Sequence, residues 1–494
     1  MPFVWNLPFL CIFLTMVTAI FLSVLPGAKA AFRLTAAVSA ICAGASCVFL
    51  IAAVRTDMAF SFTMGKFPAP FGNEIRSGPL QGLLVTVFST VMFLSLLGGR
   101  EELLADVADK KVGLACVMLN MVLASLQVLT YTNDIFTAYV FIEISTISAC
   151  TLVMIKDSGP TLVATVRYLF MSLLGSGMFL FGVVLLYSLT GHLLMPQLSE
   201  AIAKLSASGE YRSVLALSLG MMTAGLGVKS AMFPFHRWLP DAHGTATTTA
   251  SAVLSGLVLK GYAVLMILLF CRVFTLETVR SLRINEAVLA LGFAGMILGS
   301  VRAMQETHAK RMLAYSSVAQ LGYVFMGIGM GTEAGIAAAC FQILAHAFTK
   351  PLLFITVGKL SAAAGHDKQL SALRGSAWKA PLAGLGFGIG ALSMVGIPLF
   401  GGFASKTGFA LSGISGETYT WAVLLVLAAS SILNALYYLP ALIAIWSDKP
   451  ARSIREERDL TCTIAVLLLS AAVLFLGLCF RPVMDVIIQG LELL

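Results

Sequence analysis

Apolar stretches long enough to cross a lipid bilayer follow one another along this chain of 494 residues. A helix needs about 20 mostly apolar residues to span the hydrocarbon core, where only helices and closed barrels satisfy their own backbone. Hydrophobic residues make up 59% of the chain and charged residues 11%, whereas soluble domains carry about 25% charge. We therefore predict an all-α polytopic membrane protein.

The apolar stretches divide the chain into about fourteen spans of bilayer length. They cover residues 7–25, 31–53, 78–97, 112–130, 135–155, 162–190, 214–243, 246–270, 286–304, 311–331, 334–360, 381–411, 420–446 and 462–480. The sixth, seventh, eleventh and twelfth exceed a straight crossing, which predicts tilted, extended or broken helices. No Lys or Arg precedes the first span, so we expect a retained helix rather than a signal peptide.

Lysine and arginine are distributed unevenly between the two sets of loops. The loops after odd-numbered spans hold 18 of them, and those after even-numbered spans hold 8. Because cytoplasmic loops are enriched in Lys and Arg, we predict that the odd-numbered loops are cytoplasmic and that both termini lie outside. The same bias accounts for the net charge of +8 without nucleic acid as a partner. Residues 56–77 are polar and contain Pro and Gly, which predicts a short hairpin on the outer face.

Five ionisable residues interrupt spans that are otherwise apolar: Glu143, Lys229, Lys260, Lys350 and Lys406. Each charge near the bilayer centre costs roughly 2.5–3.5 kcal/mol, so the set would cost on the order of 10 kcal/mol without a use. Such residues usually face an interior cavity and mark an ion or proton path. We therefore predict a protein that moves charge across the membrane, since a membrane scaffold has no need of them.

Two of these lysines lie beside helix-breaking residues. Pro234 follows Lys229 in the seventh span, and Pro398 lies between Gly396 and Lys406 in the twelfth. Proline removes a backbone donor and breaks or kinks a helix, and paired broken helices in corresponding halves of a transporter point to its ion path. The two breaks lie five spans apart, so spans 4–8 and 9–13 are predicted to be two repeats. We expect freed carbonyls and water to solvate Lys229; a structural kink with a snorkelling lysine is the alternative.

Glu143 lies inside the fifth span and offers Lys229 an opposite charge. An unpaired buried carboxylate gains a proton and an unpaired buried lysine loses one, so an ion pair keeps both charged. Separating the pair would favour proton release from the lysine. The alternative is a static buried salt bridge.

Further polar residues extend this set along the predicted bundle. Lys260 follows the Ser- and Thr-rich run 245–255, whose hydroxyls could hold water between Lys229 and Lys260. His346 and Lys350 are four residues apart and share one helix face, which favours a proton relay over a histidine that is only hydrogen-bonded core. His243 is either a proton entrance group or a residue that stabilises its loop.

The sequence contains no signature of a cofactor or metal site. Its nine cysteines are scattered without a CxxC pair or a Cys/His cluster, and we interpret them as small core residues. There is no Walker motif, no GxGxxG and no soluble domain, so we expect no cofactor in this chain and energy from an ion gradient or a partner protein. A lipid or isoprenoid transferase would need acidic metal-binding pairs of the DxxD type, which are absent.

Five segments resemble the antiporter-like subunits shared by respiratory complex I, Mrp-type cation/proton antiporters and membrane-bound energy-converting hydrogenases. They are residues 133–143, 229–243, 310–322, 346–354 and 396–406, in the order in which the family has them. The resemblance implies a fourteen-helix fold with two inverted five-helix repeats and broken helices 7 and 12. Lys406 stands where some members have glutamate, and in this the chain looks most like the D subunit of Mrp antiporters or the matching hydrogenase subunit.

The resemblance also implies roles for the residues. Glu143 and Lys229 match the family's coupling pair, whereas Lys260 and His346 match a hydrated axis along the membrane. Lys406 matches the connection to the far side or to the neighbouring subunit. No long lateral amphipathic helix is expected after the last span.

These observations give one leading hypothesis. The chain is predicted to translocate protons, with Na⁺ as a further candidate ion, as one subunit of a hetero-oligomeric complex in a prokaryotic inner membrane, with lipids around it. Either Mrp-type antiport or a redox-driven pump fits; a subunit of an inorganic-carbon uptake complex and a non-transporting scaffold are the alternatives. The predicted divisions are 1–111 (first three helices and hairpin), 112–270 and 284–446 (the repeats) and 462–494 (last helix and tail).

Overall fold

The computed structural model describes residues 3–25, 27–67, 72–416, 418–447 and 459–494. Almost all of these residues are helical, and the one sheet among them is a two-stranded hairpin. The predicted loop carrying Lys449, Arg452, Arg455 and Arg458 lies outside the described residues, as does the tip of the hairpin at 68–71.

The described residues of the first half form eleven α-helices and the hairpin. In order they are α1 (Leu7–Leu22), α2 (Ala28–Thr56), β1 (Phe60–Thr63), β2 (Glu74–Ser77), α3 (Pro79–Asp106), α4 (Asp109–Tyr131), α5 (Ile135–Met154), α6 (Gly159–Thr190), α7 (Met195–Ser208), α8 (Arg212–Lys229), α9 (Trp238–Thr245), α10 (Thr248–Val253) and α11 (Leu259–Leu268). The strands pair antiparallel with Phe60 opposite Ser77, which confirms a hairpin within 56–77.

Nine α-helices follow in the described residues of the second half. They are α12 (Leu276–Ser281), α13 (Ile284–Gln305), α14 (Ala309–Gly329), α15 (Glu333–Ala363), α16 (Pro381–Val395), α17 (Gly401–Ser415), α18 (Thr420–Trp446), α19 (Leu460–Leu478) and α20 (Phe480–Glu492). Several begin with a residue that satisfies free backbone N–H groups. For example, the Asp134 carboxylate accepts from Thr137 N at 2.6 Å at the start of α5.

The described helices confirm the predicted class of fold. Twelve helical stretches among them are long and apolar enough to cross a membrane, and one of these is the continuous stretch Thr248–Val273 that contains α10 and α11. The two remaining predicted spans are the broken ones: α8 and α9 flank the first break, and α16 and α17 flank the second. The sixth and eleventh spans, also predicted to be unusual, form the unbroken helices α6 and α15 of 32 and 31 residues.

Three helices do not follow from the apolar pattern. α7 and α12 occupy segments that were interpreted as loops, and α20 forms within the predicted C-terminal tail. α20 is amphipathic, 13 residues long, and packs against α3 and α15. The interpretation of all cysteines as core residues is wrong for Cys47, which α2 exposes on its outer face.

The hairpin marks one end of the helical bundle. Trp5, near the N-terminus, lies 5.9 Å from Phe60 of β1 between ring centroids, and Arg76 of β2 donates to the carbonyl of Leu493 at 2.6 Å. Both termini therefore meet the same face, as an even number of crossings requires. Which side of the membrane this face occupies stays a prediction.

Buried polar residues hold the first helices together. Asn120 of α4 donates to the Thr35 hydroxyl of α2 at 3.0 Å, and Thr15 of α1 lies 3.3 Å from the Gln127 amide oxygen of α4. Where lipid surrounds a bundle, hydrogen bonds between helices contribute about 0.6–2 kcal/mol each. These contacts fix α1, α2 and α4 beside the charged site, which lies on the far side of α4.

Candidate functional site

The first helix break lies directly after Lys229. α8 ends at this residue, residues 230–234 are not helical, and a single 3₁₀ turn at Phe235–Arg237 leads into α9. Proline cannot donate the backbone bond that would continue α8, so the break predicted at Pro234 is confirmed. The Lys229 side chain is only 1% exposed and points into the bundle.

Lys229 faces Glu143 of α5 across this break. The Lys229 ammonium lies 3.9 Å from the Glu143 carboxylate and donates to the Thr146 hydroxyl at 2.5 Å. It also lies 5.7 Å from the centre of the Tyr262 ring, which faces it from α11. The structure therefore brings Glu143 and Lys229 together at the outer limit of an ion pair.

The surroundings of Lys229 differ from one expectation. Freed carbonyls were expected to solvate the ammonium, but nearby carbonyls bind other groups. The Val228 carbonyl accepts from the Trp238 indole at 3.3 Å, and that of Leu226 accepts from the Ser230 hydroxyl at 2.5 Å. The ammonium instead relies on side chains of α5, one of which can change its charge.

Glu143 is less enclosed than its partner. Its side chain is 24% exposed, and the carboxylate oxygen nearest Lys229 is buried without a hydrogen-bond partner. A carboxylate oxygen in this position costs free energy unless a partner or water satisfies it. No hydrogen bond from the described residues fixes this oxygen against Lys229.

Lys260 lies next to a local widening of its helix. Residues Leu254–Val258 form a π-helical turn between α10 and α11, and the fully buried Lys260 ammonium donates to the Ser255 carbonyl. The Ser255 hydroxyl is 2.8 Å from that of Ser317 on α14. π turns often occur at functional sites because they reorganise backbone carbonyls, and this one supplies a partner for a buried ammonium.

His346 and His243 lie in the interior with free hydrogen-bonding capacity. Both residues are fully buried, and neither ring nitrogen of either one has a partner among the described residues. His346 lies within electrostatic range of Lys260 and Lys350, and His243 is also within range of both. Because an unpaired buried polar group costs about 1–3 kcal/mol, these nitrogens mark positions where water or a mobile proton is expected.

Lys350 binds groups on other helices and not His346, which lies one turn away on the same helix. Its ammonium donates to the Leu313 carbonyl at 2.8 Å, to the Ser316 hydroxyl and to the Tyr438 hydroxyl at 3.3 Å. His346 and Lys350 are therefore close but not hydrogen-bonded to each other. Lys350 connects α15 with α14 and α18, which gives it neighbours in the second half of the bundle.

The second break lets the Lys406 ammonium, carried by α17, reach the C-terminal end of α16. α16 ends at Val395, Gly396 has φ +92°, and α17 begins at Gly401, so the break predicted around Pro398 is confirmed. The Lys406 ammonium donates to the carbonyls of Met394 and Val395 at 3.3 and 2.6 Å and to the Ser431 hydroxyl at 2.9 Å. Unpaired carbonyls at a helix C-terminus carry partial negative charge, which stabilises this cation.

Neutral polar side chains occupy the space between α14, α15 and α17. The Gln342 amide donates to the Gln320 amide oxygen at 2.8 Å, and the Ser405 hydroxyl donates to the Gln342 amide oxygen at 2.6 Å. Ser405 directly precedes Lys406. Lys406 in turn lies 5.4 Å from the Tyr323 ring centre, much as Lys229 lies over Tyr262. These residues link the centre of the bundle to its second break.

Several residues of the site were not singled out from the sequence. Tyr262 and Tyr438 are ordinary aromatic residues in apolar runs, and nothing in their spacing distinguishes them. Glu102, on the last turns of α3, forms ion pairs with Lys156 and with the fully buried Lys310. Lys310 lies in the segment 310–322 that resembles the family, but it directly precedes an apolar span, and no local signal distinguishes it from loop charge.

Comparison with known proteins places the chain in a family. Residues 132–433 match the family model described as "NADH:quinone oxidoreductase/Mrp antiporter, TM". A curated relative, NADH-quinone oxidoreductase subunit N of Desulforudis audaxviator, is 31% identical over 93% of this chain and 92% of its own length. Subunit N of Desulforamulus reducens is 32% identical over 73% of each chain.

Solved structures share the fold. A chain of the membrane-bound sulfane sulfur reductase, an archaeal respiratory membrane complex, superposes with a TM-score of 0.88 at 26% identity, covering 99% of this chain and 97% of that one. A chain of the Mrp complex from Dietzia gives 0.85 at 20% identity, with coverage of 100% and 97%. A chain of Thermus thermophilus complex I gives 0.75 at 23% identity, with coverage of 97% and 100%.

The family match spans both helix breaks and includes Glu143, Lys229, Lys260, His346, Lys350 and Lys406, and the fold agrees over nearly the whole chain. The chain belongs to the family of antiporter-like membrane subunits shared by NADH:quinone oxidoreductases and Mrp antiporters.

Proposed function

We propose that this chain translocates protons across the membrane as one subunit of a multisubunit complex, with Glu143 and Lys229 as its switch. The observation that carries the proposal is the Lys229 ammonium, 1% exposed beside a helix break and 3.9 Å from a carboxylate that is 24% exposed. A buried ammonium keeps its proton only while an opposite charge offsets its desolvation. The position of Glu143 therefore controls whether Lys229 holds its proton.

Because Glu143 controls the protonation of Lys229, its movement can start proton transfer along the bundle. When Glu143 withdraws, Lys229 releases its proton toward α11, where Lys260 and the water expected around His346 can take it. Lys350 and the Gln320–Gln342–Ser405 contacts extend the polar region toward Lys406. His243 supplies an entrance group on the side of α9. Each transfer leaves one buried lysine charged and its neighbour neutral, which limits the electrostatic cost.

Partner subunits are expected at both ends of the proposed proton path, beside Glu143 and beside Lys406. Glu143 lies beneath exposed apolar side chains of α5, among them Val140 and Ile147 at 38% and 58% exposure. At the second break, Ile397 and Leu399 are 40% and 63% exposed beside the partly buried Lys406. Other membrane subunits covering these faces would shield both charged residues and could move Glu143.

The driving reaction is proposed to occur in partner subunits of a complex in a prokaryotic inner membrane. Curated relatives of this chain are subunits N of NADH-quinone oxidoreductases, which favours a redox-driven pump over Mrp-type secondary antiport. Dependence of transport on Na⁺ in the purified complex separates the two, because only a cation/proton antiporter requires the counter-ion.

The switch can be tested in vesicles that contain the assembled complex. Glu143→Gln and Lys229→Ala remove one charge each, and we expect proton transport to fall roughly a hundredfold or more, the loss seen when a positioned proton-transfer group is removed. Transport is followed with a pH-sensitive dye, and assembly by co-purification. Asp157→Asn, which removes an exposed carboxylate that pairs with Lys111, is the matched control. Normal transport by both charge variants in intact complexes would refute the switch.

A further inference from the structure

A cavity opens at the end of the bundle opposite the hairpin. Its volume is about 550 Å³, and it lies between the last turns of α3 and α15. Glu102 and Asp106 of α3 line it, together with Thr248 at the start of α10 and Lys368 after α15. This end carries the loops richest in Lys and Arg, which are predicted to be cytoplasmic. The proton path proposed between Lys229 and Lys406 includes none of the residues that line this cavity.

Glu102 is shared between two lysines of very different burial. Its carboxylate lies 3.4 Å from the Lys156 ammonium and 3.7 Å from that of Lys310. Lys156 is 17% exposed and also pairs with Asp106, whereas Lys310 is 0% exposed. Among the described residues, Lys310 has no other carboxylate within ion-pair distance. Glu102 is therefore the group that keeps a buried ammonium charged at the cavity wall.

On the side away from Glu102, Lys310 approaches the residues of the proposed proton path. Its ammonium donates to the Ala246 carbonyl at 3.2 Å, directly after the end of α9. His243 lies one turn earlier on α9, within electrostatic range of Lys310. Thr248 and Thr249 are buried there; Thr248 faces Glu102, and the Thr249 hydroxyl has no hydrogen-bond partner in the part of the chain that the structure describes. A polar connection therefore runs from the cavity past Lys310 to an imidazole with free nitrogens.

We propose that Glu102 is the proton-loading group of this cavity and that it passes protons through Lys310 to His243. The proposal rests on the proton translocation proposed above and assigns its entrance. Lys310 gives a proton to the His243 imidazole, directly or through water, and becomes a neutral amine. Protonated Glu102 then returns a proton to Lys310, which restores the ion pair. The net result is one proton moved from cavity water to His243.

The surroundings of Glu102 determine how readily it takes up a proton. The charged and titratable groups that face it are Glu101 and Asp106 on α3, Lys156 after α5, Lys310 on α14, and Lys359, His366 and Lys368 on and after α15. Cations outnumber carboxylates in this set, so Glu102 is ionised at rest. Loading then depends on the proton concentration in the cavity, and this sets the pH dependence of transport.

Glu101 provides a matched control. It precedes Glu102 on α3 and lines the same cavity, but it is 59% exposed and pairs with Lys359. Lys359 also lies 3.6 Å from Asp459, so it keeps a partner when Glu101 is neutralised. Glu101→Gln thus removes the same charge from the same helix without leaving a buried lysine unpaired.

The test uses the assembled complex in vesicles and varies the pH on the cavity side. In the unsubstituted protein, whose Glu102 is ionised at rest, transport is expected to keep rising as the pH on the cavity side falls. Glu102→Gln is expected to lower transport near neutral pH roughly a hundredfold and to weaken this pH dependence. Glu102→Asp retains the dependence, and Glu101→Gln behaves like the unsubstituted protein. Normal transport with the normal pH dependence in Glu102→Gln would overturn the proposal.

A double variant distinguishes a role of Glu102 and Lys310 in proton loading from a role in folding alone. Glu102→Gln combined with Lys310→Gln removes both charges, so no unpaired buried ion remains to disturb folding. We expect this double variant to assemble normally and to transport as slowly as Glu102→Gln; normal transport would make the pair a structural salt bridge only. If Glu143→Gln impairs transport while the Glu102 variants do not, this inference fails alone. If none of them impairs transport, proton translocation through this chain fails as well.

Discussion

The buried lysines of the spans have different polar neighbours. Lys229 has a carboxylate at 3.9 Å, whereas Lys260, Lys350 and Lys406 rely on carbonyls and hydroxyls. Among the described residues, none of these three has a carboxylate within 4.0 Å. Carbonyl and hydroxyl dipoles are fixed, but a carboxylate can move away or become neutral. A switch is therefore expected at Lys229, and the other three are expected to relay.

One histidine outside the spans allows a prediction about stability. His308 caps α14, and its Nδ1 accepts from the Arg311 N–H at 3.4 Å. Burial, with the nearby Lys368, Lys310 and Arg311, lowers the pKa of His308 to about 4, from about 6.5 in an unfolded chain. The folded protein thus binds fewer protons between these values. We expect it to lose about 1–2 kcal/mol of stability as the pH falls from about 6.5 to 4, after allowance for solvent around the half-buried ring.

The measurement is thermal unfolding of the purified protein at steps of pH. His308→Asn is the control, because asparagine can cap a helix but cannot take up a proton. The difference in melting temperature between the two proteins should be constant above pH 7 and should shift in favour of the variant below pH 6. A difference that does not change with pH would contradict the role of His308.

The sequence singles out a charged residue as a candidate for function when its neighbours along the chain are apolar, and it fails to do so when they are polar. Glu143 and Lys229 stand out because each interrupts an apolar run. Glu102 does not, because it follows Arg100 and Glu101 at a helix end and is indistinguishable from loop charge. Only the packing of α14 beside α3 shows that its partner is fully buried. Pairing between distant segments has no local signal.

At the scale of the elements, the two helix breaks could be predicted from the sequence, but the π turn and the short helix α7 could not. Pro234 and Pro398 prevent a continuous helix by their covalent structure, so the sequence alone locates both breaks. The π turn at Leu254–Val258 has no such marker, since leucine, valine and serine all occur in ordinary helices. Tertiary packing produces it. The same holds for α7, whose mixed polar sequence is equally typical of a loop.

The second break depends on a glycine. A Cβ on Gly396 would lie 2.8 Å from the Lys406 Cδ and 3.0 Å from its ammonium nitrogen. We expect Gly396→Ala to displace Lys406 from the Met394 and Val395 carbonyls, and the positive φ to add about 1–2 kcal/mol of backbone strain. Stability should fall and proton transport should fall with it, because Lys406 loses the carbonyls that stabilise its charge.

Gly191→Ala is a control that shares the backbone strain of Gly396→Ala but not its contact with Lys406. It ends α6 with φ +70°, and a Cβ there would meet no atom within 4 Å. Gly191→Ala should therefore cause a similar loss of stability in thermal unfolding while leaving transport in vesicles close to normal. Equal transport by the two variants would show that the contact between Gly396 and Lys406 has no functional role.

At the scale of the whole molecule, the two ends of the bundle are chemically distinct. One end carries the hairpin, α7 and α20, and both termini meet it. The other carries the cavity and the ion pairs of Lys156, Lys310 and Lys359. Because Lys and Arg concentrate at cytoplasmic ends, the cavity end is predicted to face the cytoplasm. The proposed entrance then takes protons from the cytoplasm.

Cysteine labelling in vesicles tests this orientation. Asp109 begins α4 at the cavity end, Ser208 ends α7 at the other, and both are exposed. A membrane-impermeant maleimide added to right-side-out vesicles should label Ser208→Cys but not Asp109→Cys, and inside-out vesicles should show the opposite. The unsubstituted protein, which has an exposed Cys47 in the lipid-facing wall of α2, gives the background. The reverse pattern would place the cavity outside, and Glu102 would then load protons from the opposite compartment.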